Sequence, residues 1–358
     1  MPPLDTAGRS TSFFEFWPTW LMYLPVVIQW LGLAVWYRSL SLPLIANPAI
    51  PLSGMVGVPK SAVFDLAGPD AARWILPWLL HTVDRRPVSV QCTDVVRALE
   101  QKGLTLPVVA KPNLGCRGAG VRRIADAAAL RAYLQGFPVG GVVQLQQLAP
   151  WEAEAGVFYV RFPGEREGTI TSLTLKYSPY VVGDGSATLG ELVARDPRAG
   201  QLQRLYRERH SARWGDVIPA GTPYRLVFSA SHCRGAIFRD GRQFITPALR
   251  ARLDHLFDHI PGFHYGRLDI KFRDLDRLMA GEDFAVIEIN GASAESIHIW
   301  DRDTRLGAAL ATLLEQYRTL YAVGHANRQL GHRPPGLTAL WRAWRLESAL
   351  LPHYPAND

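Results

Sequence analysis

At 358 residues, with 48% hydrophobic and 20% charged side chains, the chain is long and apolar enough to bury a core, which excludes a disordered protein. Its net charge of +7 suits phosphate-bearing partners or an anionic surface, but the basic residues are dispersed and lack an aromatic–basic motif, so nucleic-acid binding is not expected. Cys92, Cys116 and Cys233 form no CxxC pair and no disulfide framework, which argues against a thiolate zinc site and for a reducing, cytoplasmic compartment.

In chain order, the first signal is the hydrophobic stretch from Phe13, "FFEFWPTWLMYLPVVIQWLGLAVWYRSL", uncharged from Trp17 to Tyr37. Its length suits a bilayer-crossing helix, and Trp17, Trp20, Trp36 and Tyr37 sit where interfacial anchors would. Pro18, Pro25 and Gln29 instead suit a hairpin or a helix packed on the main domain. Peripheral or single-helix attachment to the cytoplasmic face of a membrane and packing on a soluble domain are therefore both open. No basic n-region precedes the stretch, so it does not read as a cleaved signal peptide. The Pro/Gly-rich "NPAIPLSG" then serves as a connector.

The stretch "KSAVFDLAGPDAARWILPWLLHTV" has helical periodicity broken at Gly68-Pro69. "LPVVAKP" and "GVRRI" read as strands joined by a glycine loop, "DAAALRAYLQGF" as a helix stopped by Gly136 and Pro138, and "GGVVQLQQLAPW" as a strand entering a connector. "AGVFYVRFPG" and "GTITSLTLKYSPYVV" are further strands. "DPRAGQLQRLYRERHSARWG" reads as a solvated helix, and "YRLVFSASHCRGAIFRDG" as a strand pair. "TPALRARLDHLFDHI" is a helix capped by Thr246 with Pro247 in its first turn. The paired strands "YGRLDIKFRD" and "FAVIEINGAS" and the helix "RLGAALATLLEQYRTLYA" follow. A basic, Trp-bearing tail with an amphipathic helix closes the chain.

Two regions carry chemistry. In "VVAKPNLGCRGAGVRRI", Lys111 ends a strand and Gly115, Gly118 and Gly120 free the backbone to approach a ligand. A lysine beside such a loop suits phosphate, although an ordinary hairpin would look similar. In "GRLDIKF" and "VIEINGAS", residues two apart share a strand face. Glu288 and Asn290 therefore point one way, and Asp269 can join them from a neighbouring strand. Two carboxylates and an amide oxygen form the hard-oxygen set that Mg²⁺ prefers when it also holds phosphates. Arg267 shares the face of Asp269, so an internal Arg–Asp–Glu salt-bridge network is the competing reading.

The succession Lys60, Lys111 with its glycine loop, Glu154, Lys176, Arg267, Asp269, Glu288 and Asn290 resembles the ATP-grasp superfamily, particularly D-alanine–D-alanine ligases and cyanophycin-synthetase-like carboxylate–amine ligases. The resemblance runs from about Lys60 to Asp301. It implies an α+β (α/β) ATP-grasp fold, with two α+β lobes clamping ATP behind a hydrophobic N-terminal helical segment. The implied division is a segment over 1–57, an ATP-grasp domain over 58–325 and a basic tail over 326–358. Within the domain, the glycine-loop lobe covers about 105–150 and the metal-binding lobe about 151–325.

The resemblance also implies roles. Lys60, Lys111 and the Gly115–Gly120 loop would hold the ATP phosphates, and the hinge Gln146, Gln147 and Leu148 would read the adenine edge. Glu154 would accept the ribose hydroxyls, and Lys176 would reach the phosphates from the second lobe. Asp269, Glu288 and Asn290 would hold Mg²⁺, with Mn²⁺ as an alternative ion, and Arg267 would stabilise an oxyanion. Ser229, Ser231, His232, Arg234 and His298 are candidates for the substrate pocket. Two departures stand out: the hinge carries Gln where an acidic residue is usual, and the short hydrophobic segment replaces an N-terminal α/β substrate domain. The implied activity is an ATP-dependent ligase joining a small-molecule carboxylate, amino-acid-like, to an amine through an acyl-phosphate. An ATP-grasp kinase and a non-catalytic, membrane-attached ATP-binding module are the alternatives.

Overall fold

A computed structural model describes residues 1–5, 9–115, 118–229 and 234–357. The uncharged N-terminal stretch forms helix α1 (Thr19–Trp36), started after Pro18 and carrying Pro25 within it. The stretch that follows the connector corrects the helical reading. Only the short α2 (Ser61–Phe64) and α3 (Pro69–Ala72) are helical, and Trp78–Thr82 is a strand, β1. Gly68 and Pro69 break the first run and Pro77, which lacks an N–H to continue a helix, blocks a second.

Helix α4 (Val88–Gln101) was not singled out in the sequence. It starts after Pro87 with no side-chain cap, so it lacks the usual start signal, although its buried Cys92, Val95 and Leu99 recur at helical spacing. Strands β2 (Val108–Pro112) and β3 (Arg122–Ile124) pair antiparallel across the glycine loop. Helix α5 (Ala127–Gln135) is capped by Asp126, and β4 (Val142–Gln147) pairs with β2 and β1. The sheet order is β1-β4-β2-β3. Val95, Leu99, Leu130 and Leu134 from the helices share a core with Val108, Ala110, Val143 and Leu145 from the sheet.

The second antiparallel sheet contains β5 (Ala153–Val160), β6 (Thr169–Tyr177) and three later strands. Between β6 and the next of these lies a small excursion, in which β7 (Tyr180–Val182) pairs with β8 (Pro223–Arg225) beside α6 (Leu189–Arg195) and α7 (Gln203–Arg209). The expected solvated helix is here broken into α7 and flanking 3-10 turns, and Tyr206 is fully buried among Leu189, Val193 and Leu226. Strand β9 (Ile237–Asp240) pairs with β6, not with β8, which corrects the expected strand pair. Phe238 explains the choice, because on β9 it joins the buried cluster of Phe14, Ile297 and Trp300.

Helix α8 (Pro247–Asp258) begins as read, the Thr246 side chain accepting a hydrogen bond from the Leu249 N–H. Strands β10 (Tyr265–Phe272) and β11 (Phe284–Asn290), joined through α9 (Leu275–Met279), complete the order β11-β10-β5-β6-β9. Leu249, Leu253, Leu256 and Phe257 of α8 pack with Val157, Leu173, Leu268 and Ile270 of this sheet. Each such fully buried side chain contributes roughly 1.5–3 kcal/mol. Helix α10 (Leu306–Gln329) runs beside α1, with Trp30 against Tyr317 and Tyr37 stacked on Tyr321. Helix α11 (Leu337–Leu350) accepts at Glu347 from the Gly57 N–H at 2.6 Å, and beyond it the Tyr354 hydroxyl donates to the carbonyl of Leu114, just before the glycine loop, at 2.6 Å. The chain is thus a mixed α/β protein of antiparallel sheets with one apolar N-terminal helix.

Candidate active site

The two sheets meet at lysines. Lys111, at the end of β2, donates to Gln146 Oε1 of β4 at 2.9 Å and to the Ile287 carbonyl of β11 at 2.9 Å, so its ammonium spans both sheets. Lys60 makes a second bridge. Its Nζ lies 3.0 Å from Glu288 Oε1 and donates to the Gly115 carbonyl at 2.7 Å, tying the start of the glycine loop to β11. Glycine geometry makes this reach possible. A Cβ on Gly291 would lie 2.1 Å from the Ser53 carbonyl oxygen, so the chain leading to Lys60 can lie directly on the residues after β11 only because Gly291 has none.

Across the second sheet, cross-strand register arranges the charges. Asp269 stands opposite Glu288 and Arg267 opposite Asn290. Lys271, Glu154 and Lys176 form a row over β10, β5 and β6. Glu154 accepts from Lys176 at 3.1 Å and pairs with Lys271 at 2.9 Å. Asp269 pairs with Lys176 and with Arg267, both at 2.9 Å. Gly156, opposite Asp269, leaves room for this convergence: a Cβ there would stand 3.3 Å from Arg267 Cδ and 3.4 Å from Asp269 Oδ1.

Burial would raise the pKa of these carboxyls, and the adjacent cations overcome it. Arg267 and Lys176 leave Asp269 at about 2. Lys60 and Lys111 hold Glu288 below the usual range, and Lys271 with Lys176 does the same for Glu154. Lys111 moves the other way. Burial lowers its ammonium to about 8, with Glu288 opposing the shift and Lys60 adding to it.

These side chains line one cleft of about 1060 Å³. Lys60, Lys111, Gly115, Gly118, Lys176 and Arg267 lie along it, as do Glu154, Asp269, Glu288 and Asn290. Gln146, Gln147, Leu148 and Ser229 line it too. Gly120 lies outside the lining, at φ +67°, its carbonyl accepting from the Tyr133 hydroxyl at 2.8 Å. Arg234 donates to the Gly118 carbonyl at 3.0 Å. His298 does not line the cleft: it is buried, 2.7 Å from Ser172 Oγ, and burial lowers its pKa to about 4. Ser231 and His232 lie outside the described residues, as do Cys116 and Arg117 of the loop.

Sequence reasoning missed three contributors. Lys271 continues the Arg267/Asp269 alternation in "RLDIK", a signal already present in the sequence. The other two come from distant segments: Trp17, Met22 and Tyr23 from the N-terminal stretch, and Trp344 and Glu347 from α11, all lining the cleft.

Among the described residues, no three His, Cys, Asp or Glu side chains converge as a metal cage. By donor type alone, Asp269, Glu288 and Asn290 suit a Mg²⁺ ion, which commonly takes one or two carboxylates and completes its shell with water and phosphate oxygens. Lys60 on Glu288, and Lys176 with Arg267 on Asp269, already balance the two opposed carboxylates.

No protein-family model matches the chain, and no curated protein does. Among solved structures it is similar to a bifunctional glutathione synthetase from Pasteurella multocida, at 14% identity and TM-score 0.33, over 72% of this chain and 36% of that one. It is likewise similar to D-cycloserine synthetase DcsG, at 15% identity and TM-score 0.37, over 73% of this chain and 70% of that one. A third is the ATP-grasp ligase PsnB complexed with minimal precursor, at 15% identity and TM-score 0.36, over 72% and 59%. The chain thus spans about a third of the length of the glutathione synthetase.

Proposed function

We propose that this chain is an ATP-dependent ligase that joins a carboxylate to an amine, with an amino-acid-like substrate and an acyl-phosphate intermediate. The supporting observation is the convergence of Lys60, Lys111, Lys176 and Arg267 on Asp269 and Glu288 in one cleft between two sheets. Lys60 and Lys111 neutralise phosphate charge from the glycine-loop side, and Lys176 does so from the other sheet. Such preorganised cations act most strongly where water is excluded. Mg²⁺ or Mn²⁺, held by Asp269, Glu288 and Asn290, would neutralise charge on the phosphate oxygens. Gln146 to Leu148 flank the adenine, and Glu154 faces the ribose. Arg267 offers its guanidinium to the oxyanion formed when the amine attacks. The glycine-loop lobe (about 105–150) and the metal-side lobe (about 151–325) are the two jaws of this clamp.

The test is ADP release from ATP with carboxylates and amines, singly and in pairs, with hydroxylamine added to trap acyl-phosphate. A ligase requires the pair and yields a hydroxamate from the carboxylate alone. ADP release with one hydroxylated acceptor and no hydroxamate would identify a kinase. Nucleotide binding with no turnover would identify a non-catalytic module.

Helix α1 belongs to the same proposal. Trp20, Leu24, Val27, Ile28, Leu31 and Val35 make an exposed apolar stripe, while Met22 and Val26 face the protein. Trp20 and Trp36 mark its ends, and Arg38 follows it. The Tyr23 hydroxyl donates to Glu295 at 2.5 Å, fixing the inner face to the protein. A helix fixed on one side and apolar on the other lies along a membrane surface more readily than it crosses. Co-sedimentation with anionic phospholipid vesicles, lost in Ile28→Glu, is the expected result. A wild-type chain that stays in the supernatant would remove the membrane from the proposal.

A further inference from the structure

Glu154, Asp269 and Glu288 each have a lysine or arginine partner in the cleft. Glu295, just beyond β11, is different. Its carboxylate accepts from the Tyr23 hydroxyl at 2.5 Å and from Trp300 Nε1 at 2.9 Å. Both donors are neutral, and no Lys, Arg or His among the described residues forms an ion pair with it. Arg267 lies close enough that the Glu295 charge helps raise its pKa, but its hydrogen bonds go elsewhere, Nε and Nη2 to Asp269 and Nη1 to the backbone carbonyl of Glu295 at 3.2 Å. Trp17, Met22, Tyr23, Ile297 and Trp300, which share one hydrophobic cluster, line the same cleft, as do Glu15 and Arg267.

Glu15 is paired with Arg198, so Glu295 is the carboxylate of this cluster that has no ion-pair partner among the described residues. Trp and Tyr faces attract cations, and a carboxylate completes such a site by accepting charge-assisted hydrogen bonds. The two donors fix the carboxylate without neutralising it. The cleft, of about 1060 Å³, lies at the upper end of the roughly 300–1,000 Å³ of small-ligand pockets. We propose that Glu295, held by Tyr23 and Trp300, is the recognition group for a substrate ammonium attached to an apolar body. Assigning that ammonium to the amine substrate rests on the ligase reading, whereas the subsite itself does not. The N-terminal stretch would then build part of the acceptor site.

The experiment compares phenethylammonium with 2-phenylethanol, a neutral molecule of similar shape, by calorimetric titration of the full chain with Mg²⁺ and a non-hydrolysable ATP analogue present. The wild type is expected to bind the ammonium at least about tenfold tighter, as one charge-assisted bond allows. Glu295→Gln, which keeps size and can still accept from Tyr23, should erase that preference, and Glu295→Asp should restore most of it. Equal affinity of the wild type for the two probes would overturn the proposal without any variant. A Gln variant that keeps the preference would overturn it too. Preference that follows the carboxylate in a chain yielding no hydroxamate or amide would support the subsite while refuting the ligase reading.

Discussion

Replacing Lys111 with methionine removes a charge that bridges the two sheets while keeping an unbranched side chain of similar length. In the free protein, burial lowers the Lys111 pKa from 10.5 to about 8. That difference of about 2.5 units corresponds to about 3 kcal/mol favouring the neutral amine relative to a solvated lysine. A phosphate group binds the ammonium form. Nucleotide affinity is therefore full below pH 8 and falls as pH rises through that value. By simple titration about one tenth of Lys111 is charged at about pH 9, so affinity should be roughly tenfold weaker there. Calorimetric titration with a non-hydrolysable ATP analogue and Mg²⁺, from about pH 7.5 upward, reads this directly because the terminal phosphate is by then largely ionised. Lys111→Met should bind weakly at every pH and lack the fall. A wild-type affinity that is constant from about pH 7.5 to 9.5, or a methionine variant with the wild-type slope, would refute the reasoning.

Three further outcomes are expected. Glu288→Gln should stay folded and lose nearly all Mg²⁺-dependent ADP formation; a variant destabilised by several kcal/mol whose folded fraction keeps its rate would instead mark Glu288 as part of a structural ion-pair network. Arg267→Lys keeps the charge but not the fork, so amide formation should slow about 10²–10³-fold while hydroxamate trapping persists. Equal loss of nucleotide binding and ligation would place Arg267 in structure. Gly291→Ala puts a Cβ 2.1 Å from the Ser53 oxygen, so Lys60 should be displaced from Glu288. Nucleotide affinity and thermal stability should fall together, and wild-type values for both would show that this contact does not position the lysine.

The sequence by itself determined what depends on local backbone geometry. Strand periodicity put Arg267 with Asp269 and Glu288 with Asn290, because alternate residues on a strand share a face whatever the strand pairs with. Thr246 before Pro247 fixed the start of α8 by the same local logic, an oxygen meeting an otherwise unpaired N–H. The tertiary structure decided everything that depends on which distant surfaces bury one another. Register set Asp269 against Glu288 and aligned Lys271, Glu154 and Lys176. Contact between Ser53 and Gly291 delivered Lys60 to β11. Burial of Phe238 drew β9 to β6. Packing on α10 split α1 into a face held by the protein and an apolar face left open, which its nearly uniform hydrophobicity could not distinguish. Partner choice of this kind is settled by the summed burial of residues far apart in the chain, and no short stretch carries that sum.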